Sequence, residues 1–230
     1  MQIALSLGAR EDIEWVRDQL ETRFGCPAPI LARTPIGQLV KSSISGRTRD
    51  EISLAAYGRL LDAFPQWSDI TRASTTDIET VIRDVAFPDV KARHLHDALC
   101  AVAAGHPDFD LAFLGSLSVE NALEWLERLP GVGRKVAAST LNFSMLHMPA
   151  FVVDTHILRI SRRFGFVRKK ADTRAAYDMT MAVLHDWSAT DLATLHILMK
   201  RLGQTVCQAD RASCRHCPIR LRCQAAAGVG

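Results

Sequence analysis

The sequence predicts an all-α protein, and three observations lead to that prediction. Apolar residues recur at helical spacing through almost every segment of the 230-residue chain. No two-residue hairpin turn between alternating strands can be recognised in it. Aromatic residues make up only 7% of the chain, whereas alanine and leucine, which favour helices, are abundant. With 48% hydrophobic residues, the chain can bury one substantial core or two cores side by side.

The first helices are placed by their start and stop signals. An amphipathic helix is predicted from Glu11 to Phe24, where Gly25 and Pro27 end it. A second helix is predicted to begin at Pro35 and to run towards Gly46. Helical spacing at both segments therefore agrees with the residues that flank them.

Two further helix starts are predicted from capping boxes. Residues 48–51 (T-R-D-E) have this pattern, in which a hydroxyl caps the first N–H groups, and residues 76–79 (T-D-I-E) repeat it. The remaining predicted helices cover residues 90–104, 118–129, 134–146, 154–164, 171–187 and 191–206. The joints between them are short, so composition alone shows no domain boundary.

Charge is distributed unevenly along the chain. From His156 to the C-terminus there are 13 lysines and arginines against 5 aspartates and glutamates, although the whole chain has a net charge of only +3. A basic C-terminal third fits a polyanionic partner such as nucleic acid. A solvated basic face with no partner explains the same charge equally well.

No targeting or membrane segment is predicted. The first seven residues lack a basic region, and no apolar run approaches the roughly 20 residues of a membrane span. We therefore expect a soluble protein of the cytoplasm or nucleoid, with no membrane partner.

Four of the six cysteines lie within seventeen residues and predict a metal site. They are Cys207, Cys214, Cys217 and Cys223, spaced C-x6-C-x2-C-x5-C. In an intracellular protein such a cluster favours a metal over disulfides. Zinc and an iron–sulfur cluster both accept four thiolates, but zinc sites more often have two separated C-x2-C pairs. His216 is a less favoured ligand, and Cys26 and Cys100 are expected to be buried and inert.

Residues 129–135 (L-P-G-V-G-R-K) form a turn between two predicted helices. The G-x-G spacing permits unusual backbone torsions and lets an outside group approach the main chain. The N–H groups at the start of the second helix suit a phosphate oxygen, and would hold a DNA backbone without reading its sequence. A plain helix-to-helix turn explains the same residues. A dinucleotide site does not, because the third glycine is missing and a helix precedes the turn.

Two charged residues near helix starts are candidates for catalysis. Lys135 lies in the first turn of a predicted helix, where the dipole and the adjacent Arg134 disfavour its protonated form, so it can act as an amine nucleophile. Most lysines, however, are only solvated. Asp154 begins the next helix, and an ordinary N-cap explains its position. An ionised carboxylate next to a lysine nucleophile can stabilise a positively charged sugar, but spacing does not show that the two residues meet.

Together these motifs resemble those of the endonuclease III family of helix-hairpin-helix DNA glycosylases. Residues 129–135 resemble the family hairpin with its catalytic lysine, here Lys135. Residues 153–156 (V-D-T-H) resemble the segment with its catalytic aspartate, here Asp154. The cysteine spacing is similar to that of the family's [4Fe–4S] loop, and the resemblance extends over residues 35–223.

The resemblance implies a fold of two helical domains with DNA bound in the cleft between them. One is a six-helix barrel, residues 29–148, with a hairpin at about 126–138. The other is discontinuous, residues 1–28 and 149–230, and carries the iron–sulfur loop. A monomer would act on double-stranded DNA that contains a damaged base or an abasic site. The residues expected to bind DNA at the hairpin are Gly131, Val132, Gly133 and Arg134.

The resemblance also implies a reaction. The damaged nucleotide, usually an oxidised pyrimidine, is flipped out of the stack. Neutral Lys135 attacks C1′ of the sugar, expels the base and leaves a Schiff base, after which β-elimination cuts the strand on the 3′ side. Asp154 stays ionised, stabilises charge on the sugar and supports proton transfer.

Two positions depart from the family pattern. Arg47 stands where the family usually has a glutamine that fills the vacated stack, and Phe87 stands in place of an aliphatic wedge. Arginine can pair with guanine and phenylalanine can stack, so both are expected to bind DNA and to alter the opposite-base preference. Both can equally be tolerated surface residues.

Two other functions compete with a bifunctional glycosylase and lyase. A monofunctional glycosylase for mispaired or deaminated bases is disfavoured by Lys135, which related monofunctional enzymes lack. A non-catalytic, DNA-binding or redox-sensing iron–sulfur protein would need neither Lys135 nor Asp154 for its activity. We expect the bifunctional enzyme.

Overall fold

A computed structural model describes residues 4–227 of the chain, with side chains from residue 8 onward, and this part is helical. Isolated bridges but no strand occur in these residues, so the prediction of an all-α protein is confirmed. Short 3₁₀ helices lie at 112–116, 214–216 and 220–222. The α-helices of residues 4–227 are α1 (Ala4–Phe24), α2 (Pro35–Ser45), α3 (Asp50–Ala63), α4 (Trp67–Arg72), α5 (Thr75–Val81), α6 (Pro88–Gly105), α7 (Val119–Glu127), α8 (Arg134–Phe143), α9 (Thr155–Phe164), α10 (Thr173–Val183) and α11 (Ala189–Thr205).

The sequence signals place the boundary between the first two helices correctly. α1 ends at Phe24, and Gly25 follows with a φ of +78°, a conformation that only glycine adopts easily. α2 begins at Pro35, and the hydroxyl of its N-cap Thr34 accepts a hydrogen bond from the Gly37 N–H (3.3 Å). The later predicted helices also exist, with ends shifted by a few residues.

Both predicted capping boxes are wrong. The N-cap of α3 is Arg49, and the Thr48 hydroxyl accepts a hydrogen bond from the Ala86 N–H instead (3.0 Å). α5 is capped by Ser74, whose hydroxyl accepts from the Asp77 N–H (3.1 Å) two residues before the predicted position. Short polar side chains have several local partners to choose from, and a pattern of residue types does not distinguish them.

α4 was not predicted from the sequence. Its N-cap is Gln66, a residue type without the usual preference for that position. The Asp69 carboxylate accepts a hydrogen bond from the Gln66 N–H (2.9 Å) and so stabilises the first turn. At six residues, α4 is also too short to show a helical period.

The chain divides into two compact units. The first, named here the hairpin unit, covers residues 31–148 and contains α2 to α8. The second, named the cysteine unit, covers residues 1–30 and 149–230 and contains α1 and α9 to α11. No helix in the described part of either unit has the length and apolar character needed to cross a membrane.

α2 and α8 pack against each other in the core of the hairpin unit. Small residues on α8 allow the two backbones to come close, and aliphatic residues on α2 fill the space between them. A buried polar cluster fixes their register: Gln38 Nε2 donates to Ser42 Oγ (2.9 Å) and to Ser139 Oγ (3.2 Å), and the two serine hydroxyls are 2.8 Å apart. Buried residues of the pair include Ile36, Leu39, Val40, Ile44, Ala137, Ala138 and Leu141.

The core of the cysteine unit is built by α11 packing against α9 and α1. α11 and α9 approach closely at one glycine, because a Cβ on Gly203 would lie 2.7 Å from the Cβ of His156. This packing holds the start of α9, where Asp154 lies, against the buried face of α11. Residues that fill the core include Val16, Leu20, Ile157, Ile160, Leu195, Leu198 and Leu202.

Candidate active site

The hairpin turn joins α7 to α8 through one left-handed glycine. Gly131 has a φ of +72°, and a Cβ there would lie 2.5 Å from the Cβ of His94, so only glycine fits. Val132 is buried and its N–H donates to the Leu129 carbonyl (3.1 Å). The N-cap of α8 is Gly133, which has no side chain to cap the first N–H groups. The start of α8 therefore suits an external acceptor such as a phosphate.

Arg134 is turned into the hairpin rather than towards solvent. Its side chain is only 4% exposed, and its Nε lies 2.8 Å from a carboxylate oxygen of Glu127 on α7. Its Nη2 lies 3.3 Å from a carboxylate oxygen of Glu120. The charge that we expected to disfavour a protonated Lys135 is thus balanced by two carboxylates, and that part of the expectation does not hold. The side chain instead fastens α8 to α7.

Lys135 occupies the first turn of α8, and the end of α2 holds its amine. The Nζ donates a hydrogen bond to Ser45 Oγ (2.8 Å) and lies 3.5 Å from the Ser42 carbonyl oxygen. The Ser45 hydroxyl donates its own proton to the Ser42 carbonyl (2.9 Å), so its lone pairs face the amine. The amine of a half-buried lysine is therefore held in a defined position.

Arg47 and Phe87 lie side by side on two loops of the hairpin unit. The Arg47 guanidinium carbon is 5.8 Å from the centre of the Phe87 ring, within range of a cation–π contact. Both residues are exposed, and Phe87 keeps 55% of its surface accessible. Both also have left-handed backbone, with φ of +54° and +56°. Bulky residues adopt this conformation only when their surroundings enforce it.

Asp154 is the N-cap of α9, as the sequence predicted. Its Oδ1 accepts hydrogen bonds from the N–H groups of His156 (2.8 Å) and Ile157 (2.9 Å). Four buried residues precede it, and the carbonyl of one of them, Val152, lies 2.7 Å from Nδ1 of the buried His196 on α11. These contacts fix both the carboxylate and the chain that leads to it.

The two predicted catalytic residues belong to different units, Lys135 to the hairpin unit and Asp154 to the cysteine unit. The structure brings Lys135 together with Ser45, and Arg47 together with Phe87. Sequence reasoning missed Ser45, because a single serine at the end of a helix matches no motif. No signal in the sequence distinguishes it from the other serines of α2.

The four predicted metal ligands line one pocket of the cysteine unit. Burial, with a further contribution from the neighbouring thiols, raises the pKa of Cys217 to about 11. Among the described residues, no group of three or more His, Cys, Asp or Glu side chains is already arranged to hold a metal ion. The expectation for the two isolated cysteines is wrong in part, because Cys26 is exposed and Cys100 only half-buried. The residues that line the pocket are Ile160, Arg163, Val206, Cys207, Ala212, Ser213, Cys214, Cys217, Ile219, Cys223, Ala225 and Ala226.

Two arginines of α9 bind the segment that carries the cysteines. Arg159 Nε donates to the Cys207 carbonyl (2.9 Å), and Arg163 Nη1 donates to the Cys207 sulfur (3.4 Å) and the Gln208 carbonyl (2.7 Å). Both arginines belong to the basic C-terminal third that suggested a polyanionic partner. Their contacts lie within the protein, so part of that charge has a structural role.

The sequence matches the family model described as HhH-GPD superfamily base excision DNA repair protein over residues 40–189. It is 29% identical to an endonuclease III homolog of Encephalitozoon cuniculi, over 80% of this chain and 76% of the relative. It is 25% identical to endonuclease III of Thermotoga maritima, over 83% of each chain. An Arabidopsis thaliana protein named as a DNA glycosylase is 33% identical, and the alignment spans 60% of this chain and 47% of that relative.

Solved structures with the same fold include complexes of endonuclease III with DNA. A trapped covalent intermediate superposes with a TM-score of 0.78 at 22% identity, covering 95% of this chain and 97% of the other. A thermostable thymine-DNA glycosylase superposes with a TM-score of 0.74 at 15% identity, covering 96% and 97%. At these identities the superpositions establish the fold.

Proposed function

This chain belongs to the HhH-GPD superfamily of base excision DNA repair proteins, and on that premise we propose that it is a DNA glycosylase with AP lyase activity. Its substrate is double-stranded DNA that contains a damaged base or an abasic site. The observation that supports the lyase activity is the position of Lys135. Its amine, on the first turn of α8, is held 2.8 Å from Ser45 Oγ. A monofunctional glycosylase has no use for an amine placed there.

Lys135 acts as the nucleophile on the flipped-out nucleotide. After it gives up its proton, the lone pair of Nζ forms a bond to C1′ of the sugar. The N-glycosidic bond breaks, and its electron pair leaves with the base, which takes up a proton. The nitrogen then loses a proton and forms a double bond to C1′, while the C1′–O4′ bond breaks and O4′ takes up a proton. The product is an open-chain Schiff base whose C2′ proton is acidic. Removal of that proton breaks the C3′–O bond and cuts the strand on the 3′ side.

Asp154 stabilises the positive charge that develops on the sugar during this reaction. The N–H groups of His156 and Ile157 donate to its Oδ1 and hold the carboxylate in place at the start of α9. An ionised carboxylate lowers the barrier to loss of the base and can accept and return protons. Its role is electrostatic and does not require a covalent bond to the DNA.

The hairpin binds the DNA backbone through its main chain. Gly131 gives the turn its left-handed backbone, Gly133 leaves open space in which a phosphate can come close, and the first N–H groups of α8 donate to it. Val132 anchors the turn in the core. Because the Arg134 side chain is paired with two glutamates, Arg134 contributes to DNA binding through its N–H group.

The four cysteines of the pocket would hold a [4Fe–4S] cluster, with zinc as the less favoured occupant. Four soft thiol donors and a largely apolar lining suit such a group. Coordinated by four thiolates, the cluster leaves no iron open to substrate, so it would supply structural support and a redox-active centre. Purified protein should be brown, with iron and acid-labile sulfide in equal amounts. Colourless protein with stoichiometric zinc would exclude the cluster.

Borohydride trapping on DNA with an abasic site tests the lyase assignment. Borohydride reduces the Schiff base, so the wild-type protein should become covalently attached to the DNA, and Lys135→Ala should abolish this product. On DNA with a damaged base, Asp154→Asn should slow base release on the order of 100-fold while the helix cap is retained. Base release without trapping would show that the protein is a monofunctional glycosylase. If neither base release nor trapping is detected, the protein binds DNA without catalysis.

Arg47 and Phe87 determine which base is tolerated opposite the lesion. Their contact places an arginine on the face of an exposed aromatic ring, where both can enter a base stack. Arginine donates two hydrogen bonds to guanine, so excision opposite guanine should be favoured. Excision rates measured opposite each of the four bases should change in Arg47→Gln, and an unchanged profile would remove this role.

A further inference from the structure

Lys91 of α6 reaches across to the end of α2. Its Nζ donates hydrogen bonds to the carbonyls of Ile44 (2.8 Å) and Gly46 (2.7 Å) and to Thr48 Oγ1 (3.0 Å). The acceptors lie in residues 42–48, the last turn of α2 and the loop after it, named here the 42–48 turn. Carbonyls at the end of a helix have no partner within the helix, and a cation there is stabilised by the helix dipole.

Lys135 of α8 binds the same turn, with its amine on Ser45 Oγ and near the Ser42 carbonyl. The acceptors of Lys91 and Lys135 alternate along the chain at residues 42, 44, 45 and 46. A shift of the 42–48 turn would therefore move the partner atoms of both amines together. Two lysines from different helices thus share one short piece of backbone.

The 42–48 turn also carries Arg47, whose side chain lies on Phe87. Thr48 Oγ1 joins the two loops, because it accepts hydrogen bonds from the Ala86 N–H (3.0 Å) and from the Lys91 amine (3.0 Å). Phe87 directly precedes α6, the helix that presents Lys91. Hydrogen bonds that Lys91 donates to Gly46 and Thr48, and that Ala86 donates to Thr48, thus lie next to the left-handed residues Arg47 and Phe87.

We propose that Lys91 is a positioning residue that couples the Arg47–Phe87 pair to the Lys135 amine by holding the 42–48 turn. When Arg47 and Phe87 enter the DNA stack, the force on their loops is transmitted to the turn that seats Ser45. The position of the amine thereby depends on what lies opposite the lesion. This coupling rests on the proposed function, since it requires that Lys135 forms the Schiff base.

The expected size of the effect follows from the geometry. Without Lys91, the carbonyls of Ile44 and Gly46 lose their charged donor, and the turn is free to relax. A displacement of about 1 Å between a nucleophile and its target is enough to slow a reaction on the order of 100-fold. Lys91→Met keeps the length of the side chain and removes the donor, so we expect slower trapping together with a weakened opposite-base preference.

The experiment compares variants that break different arms of the network. Single-turnover borohydride trapping at saturating enzyme measures the Lys135 arm, and excision opposite each of the four bases measures the Arg47 arm. Ser45→Ala should slow trapping about tenfold and leave the base preference unchanged, with Ser45→Thr restoring the rate. Arg47→Gln should change the base preference and make the trapping rate independent of the base opposite the abasic site, without the general slowing expected of Lys91→Met. Arg93→Met, which removes an exposed cation from the same helix, is the matched control and should behave as wild type.

Lys91→Met should alter both measurements, while the affinity for abasic DNA stays within about threefold. A folded Lys91→Met variant that matches wild type in either measurement overturns the coupling, although wild-type trapping would still support the lyase. No trapping by wild type would instead refute the proposed function. If Lys91→Met does not fold, Thr48→Val provides a second test, because it removes the hydroxyl shared by the two loops. It should slow trapping and weaken the opposite-base preference together, and a Thr48→Val variant that does not show both effects also overturns the coupling.

Discussion

Arg134 follows the hairpin glycines and precedes Lys135, a position that suggested a contact with DNA. The structure shows that neighbours decide its role: the guanidinium lies between Glu127 and Glu120 and is almost inaccessible to solvent. A sequence pattern gives the charge of a residue but not the direction of its side chain. The motif begins at residue 129, so it does not include the carboxylates of the preceding helix that bind Arg134.

Replacing Arg134 tests this structural role. Arg134→Met leaves the partly buried Glu127 carboxylate without its cation, so the free energy of unfolding should fall by about 2–3 kcal/mol. Arg134→Lys should not restore it, because an ammonium cannot bind two carboxylates through a planar fork. Urea denaturation measures the change, with the exposed Arg128→Met as the control. Equal stability of Arg134→Met and wild type would contradict the role.

Lys91 gives the protein a dependence on pH whose sign can be worked out. Burial lowers the pKa of Lys91 from 10.5 to about 8 in the folded state. Between these values the unfolded chain binds more protons than the folded chain, so the free energy of unfolding rises with pH across this window. The increase is below about 1.4 kcal/mol per pH unit, since Lys91 is only half-buried. Urea denaturation of wild type and Lys91→Met from pH 7.5 to 10.5 should show a smaller slope in the variant.

At the level of helices, the sequence predicted those parts of the fold that depend on local signals. The hairpin, the Asp154 cap and the ends of α1 and α2 follow from glycine, proline and short polar residues. The capping box at residues 48–51 failed because the Thr48 hydroxyl binds Ala86, 38 residues away in sequence. Ser45 and Lys91 were missed for the same reason, since their partners come from other helices.

The two hairpin glycines should respond differently to substitution. Gly131→Ala places a Cβ in left-handed backbone and against His94, so it should lower the free energy of unfolding by about 1–2 kcal/mol or more. Gly133 has a φ of −104°, and a Cβ there would have no atom within 4 Å, so Gly133→Ala should change stability by about 0.5 kcal/mol or less. Thermal unfolding compares the two. A similar loss in both would contradict the assignment of strain to Gly131.

Considered as a whole, the chain has two units with different sources of stability. The hairpin unit contains a continuous apolar core and the buried cluster of Gln38, Ser42 and Ser139. In the cysteine unit, the segment after α11 is held by hydrogen bonds from α9, including those of Arg159 and Arg163. The proposed cluster would add covalent support where the described residues form little regular structure.

Removal of the proposed cluster should therefore affect one part of the chain first. Oxidation followed by chelation should increase amide hydrogen exchange in the cysteine segment and in the second half of α9, because Arg159 and Arg163 bind the Cys207 region. Peptides from α2 and α8 serve as the internal reference. Uniform exchange before and after removal would show that the four cysteines do not support α9.

The double use of Asp154 has a consequence for which substitutions evolution can sample. Active-site groups are often tolerated at the expense of folding, but this carboxylate stabilises α9 through two backbone bonds while it serves the proposed reaction. A saturation library sorted for soluble expression should retain Asp, Asn, Ser and Thr at position 154, whereas sorting for repair should retain Asp alone. Selection for stability and selection for catalytic activity then favour the same residue, so the usual trade-off between stability and activity does not apply at this position.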